Sequence, residues 1–193
     1  VKVILPDKDE KKIVSKALFS AVVPRPIAWI TTLSRDGVVN LAPFSFFNAV
    51  TTRPPILMVS IGRRKDGSRK DTDRNIRERG EFVVSVVGEE FLEKVHLSGK
   101  DFPPDESEAE KLGVPLENSL KVSPPRVKGA LASLECKLKE IVELGDTPMS
   151  VIFGEVVAIH LKEEILETSK GVLGRLGGKR YTVIENEIDL SSL

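Results

Sequence analysis

The stretch Pro24–Val50, PRPIAWITTLSRDGVVNLAPFSFFNAV, decides how this chain folds. From Ile27 to Leu33 it is rich in β-branched and aromatic residues, Arg35-Asp36-Gly37 supplies turn chemistry, and a second apolar run starts at Val38. That order spells an antiparallel hairpin. The second strand then meets Pro43, which has no N–H to give to a ladder. Phe44, Phe46 and Phe47 surround Ser45 there, so three of the eight Phe of the chain fall within four positions. Asn40–Val50 admits two readings. It is a core corner where an edge strand turns, or it is a break in pairing whose free N–H and C=O groups meet a flat heterocycle, with Asn40 and Ser45 adding polar contacts.

Working outward, Ile13, Val14, Ala17, Leu18 and Ala21 recur at helical spacing and predict a short amphipathic helix ahead of the hairpin. Downstream, Ile56–Ile61 and Phe82–Val87 are short apolar runs suited to strands buried on both faces. GEEFLEKVHLSG reads as a turn or two of helix with His96 exposed. Residues 100–129 are rich in Pro, Gly and charge, an excursion with too few apolar residues for a core of its own. Ala130–Leu144 and Ser150–Leu161 predict two long strands, and the tail adds a glycine-rich turn and an edge strand. Six or more strands, few helices and no βαβ alternation predict a mainly β, antiparallel barrel with helical decorations. The 193 residues are expected to form one domain, with its core at about 13–182.

Lys plus Arg equals Asp plus Glu at 29 each, so no overall positive field draws the chain to nucleic acid or to an anionic membrane. No apolar run approaches the roughly 20 residues that span a bilayer. VKVILPDKDEKK lacks the apolar region and cleavage site of a secretory signal, so the chain is expected in the cytoplasm. The single cysteine, Cys136, excludes an internal disulfide and a Cys-rich metal site; alternation of Leu134, Cys136 and Leu138 with polar residues makes it an inert core thiol on a strand. No metal is expected. Gln is absent and 30% of residues are charged, a composition resembling that of thermophile proteins.

Between the two buried strand runs lies RRKDGSRKDTDRNI, Arg63–Ile76. Asp71 and Thr72 are good N-cap residues and Gly80 suits the position just past a helix end, so a short helix is expected to start near Thr72. Its free N–H groups, the Thr72 hydroxyl and the cations Arg63, Arg69 and Lys70 make a monophosphate site conceivable. Taken alone, the same pattern reads as readily as a solvated turn. Neither GxxxxGK[ST] nor a strand followed by GxGxxG occurs, and GRLGGKR does not substitute for them.

The series VVPRPIAWITTLSRDGVVNLAPFSFFNAV, RPPILMVSI, KDTDRNIRERGEFVVSVV, LECKLKEIVEL and VIFGEVVAIHL resembles the flavin reductase-like, FMN-binding split-barrel family, especially its flavoredoxin-type members. The similarity runs in consistent order from about Val22 to about Tyr181, and N-x-A-P-F-S followed by K-D-T-x-x-N carries it. The resemblance implies an antiparallel, Greek-key split barrel, a homodimer, and one FMN near each subunit boundary. It places Thr31 and Thr32 beside the flavin or its ribityl chain. Asn40, Ala42, Pro43, Phe44, Ser45, Phe46 and Phe47 border the isoalloxazine. Arg63, Lys70, Asp71 and Thr72 form the phosphate corner with Asn75 in support; because the Asp71 carboxylate would repel phosphate, its part is to cap amides or orient Lys70.

By the same resemblance, hydride passes through flavin N5, from NAD(P)H as a transient substrate to a flavin or small acceptor, and Ser45 is the one catalytic candidate, polarising the N5/O4 edge. Many relatives carry a His shortly before the G-E-V strand; here Thr147, Pro148 and Met149 stand there. His160 either faces the flavin edge in a related subunit or is a plain strand-end histidine, and Arg175 and Tyr181 border the cofactor pocket or pack an edge. A flavoredoxin-type carrier serving protein redox partners, and an FMN-binding module without turnover, are the alternatives. GxSxG is absent, and neither His has a nucleophile beside it in sequence.

Overall fold

The computed structural model describes residues 1–190; residues 191–193, part of the expected domain span, lie outside the described residues. Helix α1 (Lys11–Ala21) leads into a two-residue strand β1 (Arg25–Pro26), and the predicted hairpin follows as β2 (Ala28–Leu33) and β3 (Val39–Phe44). Its turn relies on Gly37 at φ +83°, a left-handed conformation that strains any side chain. Next come β4 (Phe47–Thr52), β5 (Pro55–Ile61), α2 (Asp71–Arg79), β6 (Glu81–Val86) and α3 (Leu92–Leu97). The excursion carries α4 (Glu108–Lys111), β7 (Leu116–Glu117) and β8 (Arg126–Val127). The long strands are β9 (Ala132–Leu144) and β10 (Met149–Leu161), and the tail forms β11 (Leu173–Arg175) and β12 (Tyr181–Val183).

Seven strands make one antiparallel sheet in the order β3-β2-β6-β9-β10-β5-β4, and β1, β11 and β12 form a separate three-stranded sheet. The large sheet rolls on itself. Phe44 of β3, at one edge, shares a core with Leu57 and Val59 of β5, near the other, together with Ile30, Ile76, Phe82, Val84 and Ile152. Cys136 belongs to this core and has no exposed surface; burial pushes its thiol far above the usual range, so it stays protonated and inert.

β2 is buried on both faces, which is why its sequence alternates so little. Ala28 and Ile30 face the barrel interior, whereas Trp29 faces a second core with Leu41, Phe91, Val95, Ala109, Val114, Val127 and Leu173. The Trp29 indole N–H donates to Ser98 Oγ at 2.9 Å. The excursion thus borrows rather than builds a core: its apolar residues cover the outer face of β2.

Two expectations need correction. Pro43 does not interrupt the ladder; it lies opposite Trp29 within β3, tolerated because β3 is an edge strand with one side free of backbone partners. The break falls at Ser45 and Phe46 instead. Helix α2 starts at Asp71, near Thr72 as expected, but its N-cap is Lys70 in extended backbone, so neither Asp71 nor Thr72 caps it. Its end is as expected: Gly80 at φ +70° donates its N–H to Ile76 O. No helix among the described residues is long and apolar enough to cross a membrane.

Candidate functional site

The start of α2 sits against the β2–β3 hairpin through a buried amide–hydroxyl cluster. Asn40 Nδ2 donates to Thr72 Oγ1 at 2.9 Å and to Thr32 Oγ1 at 3.2 Å, and Asn75 Nδ2 donates to Thr32 Oγ1 at 3.0 Å. Local sequence explains the placement: Thr72 and Asn75 are three apart on one face of α2, while Thr32 and Asn40 are cross-strand partners. Asn75 Oδ1 is buried without a hydrogen-bond partner. The cluster aims the uncapped first turn, whose N–H groups have no intrahelical acceptors, at a recess of about 40 Å³.

The charges at this recess are unequally paired. Asp71 is ion-paired with both Arg64 and Arg74, so its carboxylate is neutralised at the helix start. Lys70 has no carboxylate within ion-pair distance among the described residues; its Nζ stands 5.7 Å from the centroid of Phe44. Glu108, buried beneath, accepts from the Leu41 N–H at 2.8 Å; burial, then the charge of Asp71, pushes its carboxyl above the usual range. A free cation, unsatisfied amides and a hydroxyl around a small volume are the donor set for an oxyanion.

The recess shares Pro43, Phe44, Gly99 and Lys100 with a cavity of about 560 Å³, so polar corner and cavity form one continuous groove. The break at Ser45–Phe46 opens its floor, Phe19 at the end of α1 forms one wall, and the end of α3 with the 175–181 tail forms the other. His96 Nδ1 lies 3.1 Å from the Tyr181 hydroxyl, and the Arg175 guanidinium stacks 4.3 Å from the Tyr181 ring centroid. Burial raises the Tyr181 hydroxyl above its ordinary range, so it stays a neutral donor at physiological pH.

Of the residues singled out in the sequence, Asn40, Ala42, Pro43, Phe44, Lys70, Asp71 and Thr72 line the recess, and Ser45, Phe46, Arg175 and Tyr181 line the cavity. Thr32 and Asn75 lie one layer below. Four stand elsewhere. Thr31 points to the opposite face of β2 from Thr32, as strand alternation requires, and donates to Pro125 O. Phe47 packs on the barrel interior. Arg63 turns to Glu143 at 3.0 Å, Asp73 and the Pro148 carbonyl, tying α2 to the ends of β9 and β10, and Arg64 takes the position beside Lys70. His160 Nε2 contacts Glu135 Oε1 at 2.6 Å and lines neither the recess nor the cavity of its own chain.

Sequence reasoning missed Arg64, Arg25, Phe19, Lys100 and His96; the last, expected in solvent, is half-buried and lines the cavity. Arg64 carried a signal, since of two adjacent residues leaving a strand only one faces a given side, but which one depends on the strand's docking. Arg25 and His96 had none, because their neighbours in the site come from β11 and β12.

Residues 19–177 match the Flavin reductase like domain. A protein of Aquifex aeolicus with no assigned function is 45% identical over 182 residues, 91% of this chain and 92% of that protein. Among solved structures, nitrilotriacetate monooxygenase component B from Bacillus cereus superposes with a TM-score of 0.90 at 34% identity, covering 98% of each chain. The 2-nitrobenzoate 2-nitroreductase of Pseudomonas fluorescens gives a TM-score of 0.87 at 33% identity, over 98% of this chain and 95% of that one. A rolled seven-stranded sheet, a polar helix start opening into an aromatic groove, and a match spanning most of the sequence lead to one assignment: this chain belongs to the flavin reductase-like family and has its split-barrel fold.

Proposed function

We propose that this chain binds FMN and works as an oxidoreductase of the flavin reductase type, with NAD(P)H as electron source. The observation that carries the reading is the groove in which an uncapped helix start and Lys70, without a carboxylate partner among the described residues, open through Pro43 and Phe44 into a cavity with aromatic walls. The donor set fits a mononucleotide. The first-turn amides of α2, the Thr72 hydroxyl, Lys70 and Arg64 would hold the phosphate, and Pro43, Phe44, Ser45 and Phe46 would border the ring. Bound there, FMN would supply the two-electron chemistry that no protein side chain provides.

The chain's own residues bind, orient and shield. The Asn40–Thr32–Asn75 cluster holds the helix start in place, and Arg64 and Arg74 screen Asp71 from an incoming anion. Ser45 Oγ accepts from Arg25 Nε at 3.3 Å, which leaves its proton to point into the cavity at a polar ring edge. Phe19, Phe46 and Tyr181 reduce water access from the mouth. We also propose a homodimer, favoured by exposed apolar side chains at Val50, Leu144 and Ile159, which are more than half accessible.

The test is spectroscopic. Purified protein saturated with FMN is expected to be yellow and to bleach on addition of NADH or NADPH under argon. Protein that takes up no FMN would remove the binding claim. Bleaching only by a reduced iron–sulfur protein would replace the reductase with an electron carrier, and a yellow protein inert to all three donors would leave a binding module.

A further inference from the structure

The cavity carries an imbalance of charge that holding a phosphate in the recess does not use. Arg25 and Arg175 are register partners in the β1–β11 pair, and both line the cavity. Neither has a carboxylate within ion-pair distance among the described residues. Lys100 and Lys179 also line it, and no Asp or Glu among the described residues does. Arg25 is only 7% exposed. Its Nη1 donates to the carbonyls of Phe19 and Val22 at 3.2 and 2.9 Å, its Nε to Ser45 Oγ, and its Nη2 to no protein atom among the described residues. Burial, and then the like charge of Arg175, lower the Arg25 pKa. Such a pair costs folding free energy unless an anion offsets it.

The walls say what kind of anion. Phe19 lies beside the Arg25 guanidinium and Tyr181 beside that of Arg175, flat surfaces apart from the Pro43–Phe46 segment that would border the flavin ring. We infer that the cavity takes a planar aromatic carboxylate, its carboxylate between Arg25 and Arg175 and its ring against the aromatic walls, as the second substrate of the proposed oxidoreductase. Its role as a substrate rests on the function proposed above; the binding does not. The free Nη2 of Arg25 and the Arg175 guanidinium each offer a carboxylate oxygen a charge-assisted hydrogen bond, which a neutral amide matches only as an ordinary one.

Calorimetric titration with benzoate and its neutral isostere benzamide, on protein with and without FMN, tests the inference. Benzoate is expected to bind about ten-fold tighter or more, the gap expected of a charge-assisted hydrogen bond. Arg175→Gln should erase that preference while leaving benzamide unchanged. Arg25→Lys, which keeps the charge but not the Nη2 donor, should weaken benzoate more than benzamide. Equal affinities for the two probes, no detectable benzoate binding, or an Arg175→Gln loss shared equally by both would overturn it. Adenosine monophosphate serves as a third probe: if it binds tighter than benzoate through the same arginine, the oxyanion site stands and the aromatic carboxylate does not. Quenching of flavin fluorescence reports FMN uptake separately. Uptake without benzoate preference sinks this inference alone, and benzoate preference without uptake sinks the FMN reading alone.

Discussion

Lys70 is the residue on which the FMN reading is most exposed to test. Its ammonium has no carboxylate partner among the described residues and stands over Phe44, beside amides that lack acceptors. Lys70→Ala should therefore raise the FMN dissociation constant roughly ten- to a hundred-fold, the worth of a charge-assisted hydrogen bond. Because no ion pair is lost, the thermal midpoint of the FMN-free protein should not move; flavin fluorescence and a thermal melt measure the two. Glu135 is the opposite case, a structural carboxylate. It is fully buried, accepts from the Leu120 and Lys121 N–H groups at 2.8 and 2.6 Å, and meets His160. Burial alone would raise its carboxyl, but those two N–H donors and His160 outweigh burial and hold it below the usual range. A depressed folded value means that the stabilisation is present above the unfolded value of about 4.3 and is lost as pH falls through the folded one. Glu135→Ala should cost about 3 kcal/mol at pH 7 by orphaning two donors. Urea unfolding at pH 7 and at pH 3.5 should show a smaller acid-induced loss in the variant than in the parent. Glu108 works in the other direction: its raised carboxyl contributes stability below the unfolded value that is lost as pH rises through the folded one.

At the scale of the element, the β10 irregularity between Phe153 and Gly154 shows how one small residue shapes a strand. A Cβ on Gly154 would come within 2.4 Å of Phe82 Cζ and 3.2 Å of Cys136 Cβ, both side chains fully buried in the barrel core. Gly154→Ala should therefore destabilise the fold by roughly 2 kcal/mol, the usual cost of overpacking a filled core. Chemical denaturation would show a shifted midpoint at an unchanged slope. Helix α2 is a second instructive element. Its apolar content is slight and only Ile76 enters the barrel core. Polar anchors do the rest: Asn75 to Thr32 on one side, and on the other Asp73, which accepts from Ser150 Oγ at 2.8 Å and pairs with Arg77. The helix that would hold the phosphate is thus docked by the polar residues that its sequence makes conspicuous.

For the whole molecule, the groove lies where four regions distant in sequence meet: the α1–β1 segment, the break after β3, the end of α3, and the 175–181 tail. Exposed Val50 on β4, Leu144 at the end of β9 and Ile159 on β10 leave apolar surface outside both cores. Light scattering is expected to report about twice the chain mass of 21.2 kDa. A monomer at micromolar concentration would contradict the dimer and leave the groove intact. Val50→Glu should shift that equilibrium toward the monomer without unfolding the barrel, since Val50 belongs to neither core.

Strand and helix identities were legible from local pattern alone. The hairpin that turns at Arg35-Asp36-Gly37, the long strands near 132–144 and 149–161, the buried Cys136 and the Gly80 stop depend on alternation, turn chemistry and one residue's allowed dihedrals, all properties of neighbours in sequence. Lys70, Asp71, Thr72 and Asn75 were legible as a group because they lie on one short helix start, but their reading as an anion site came from the family resemblance, since the local pattern alone favours a solvated turn. Only tertiary structure decided that Arg64 and not Arg63 faces that corner, that Thr31 turns away while Thr32 turns in, and that Arg25 and His96 enter the cavity. The physical reason is the pairing itself: Arg25 meets Arg175, and His96 meets Tyr181, across separations that no periodicity spans. Which face of a strand becomes a wall is settled only when the sheet closes.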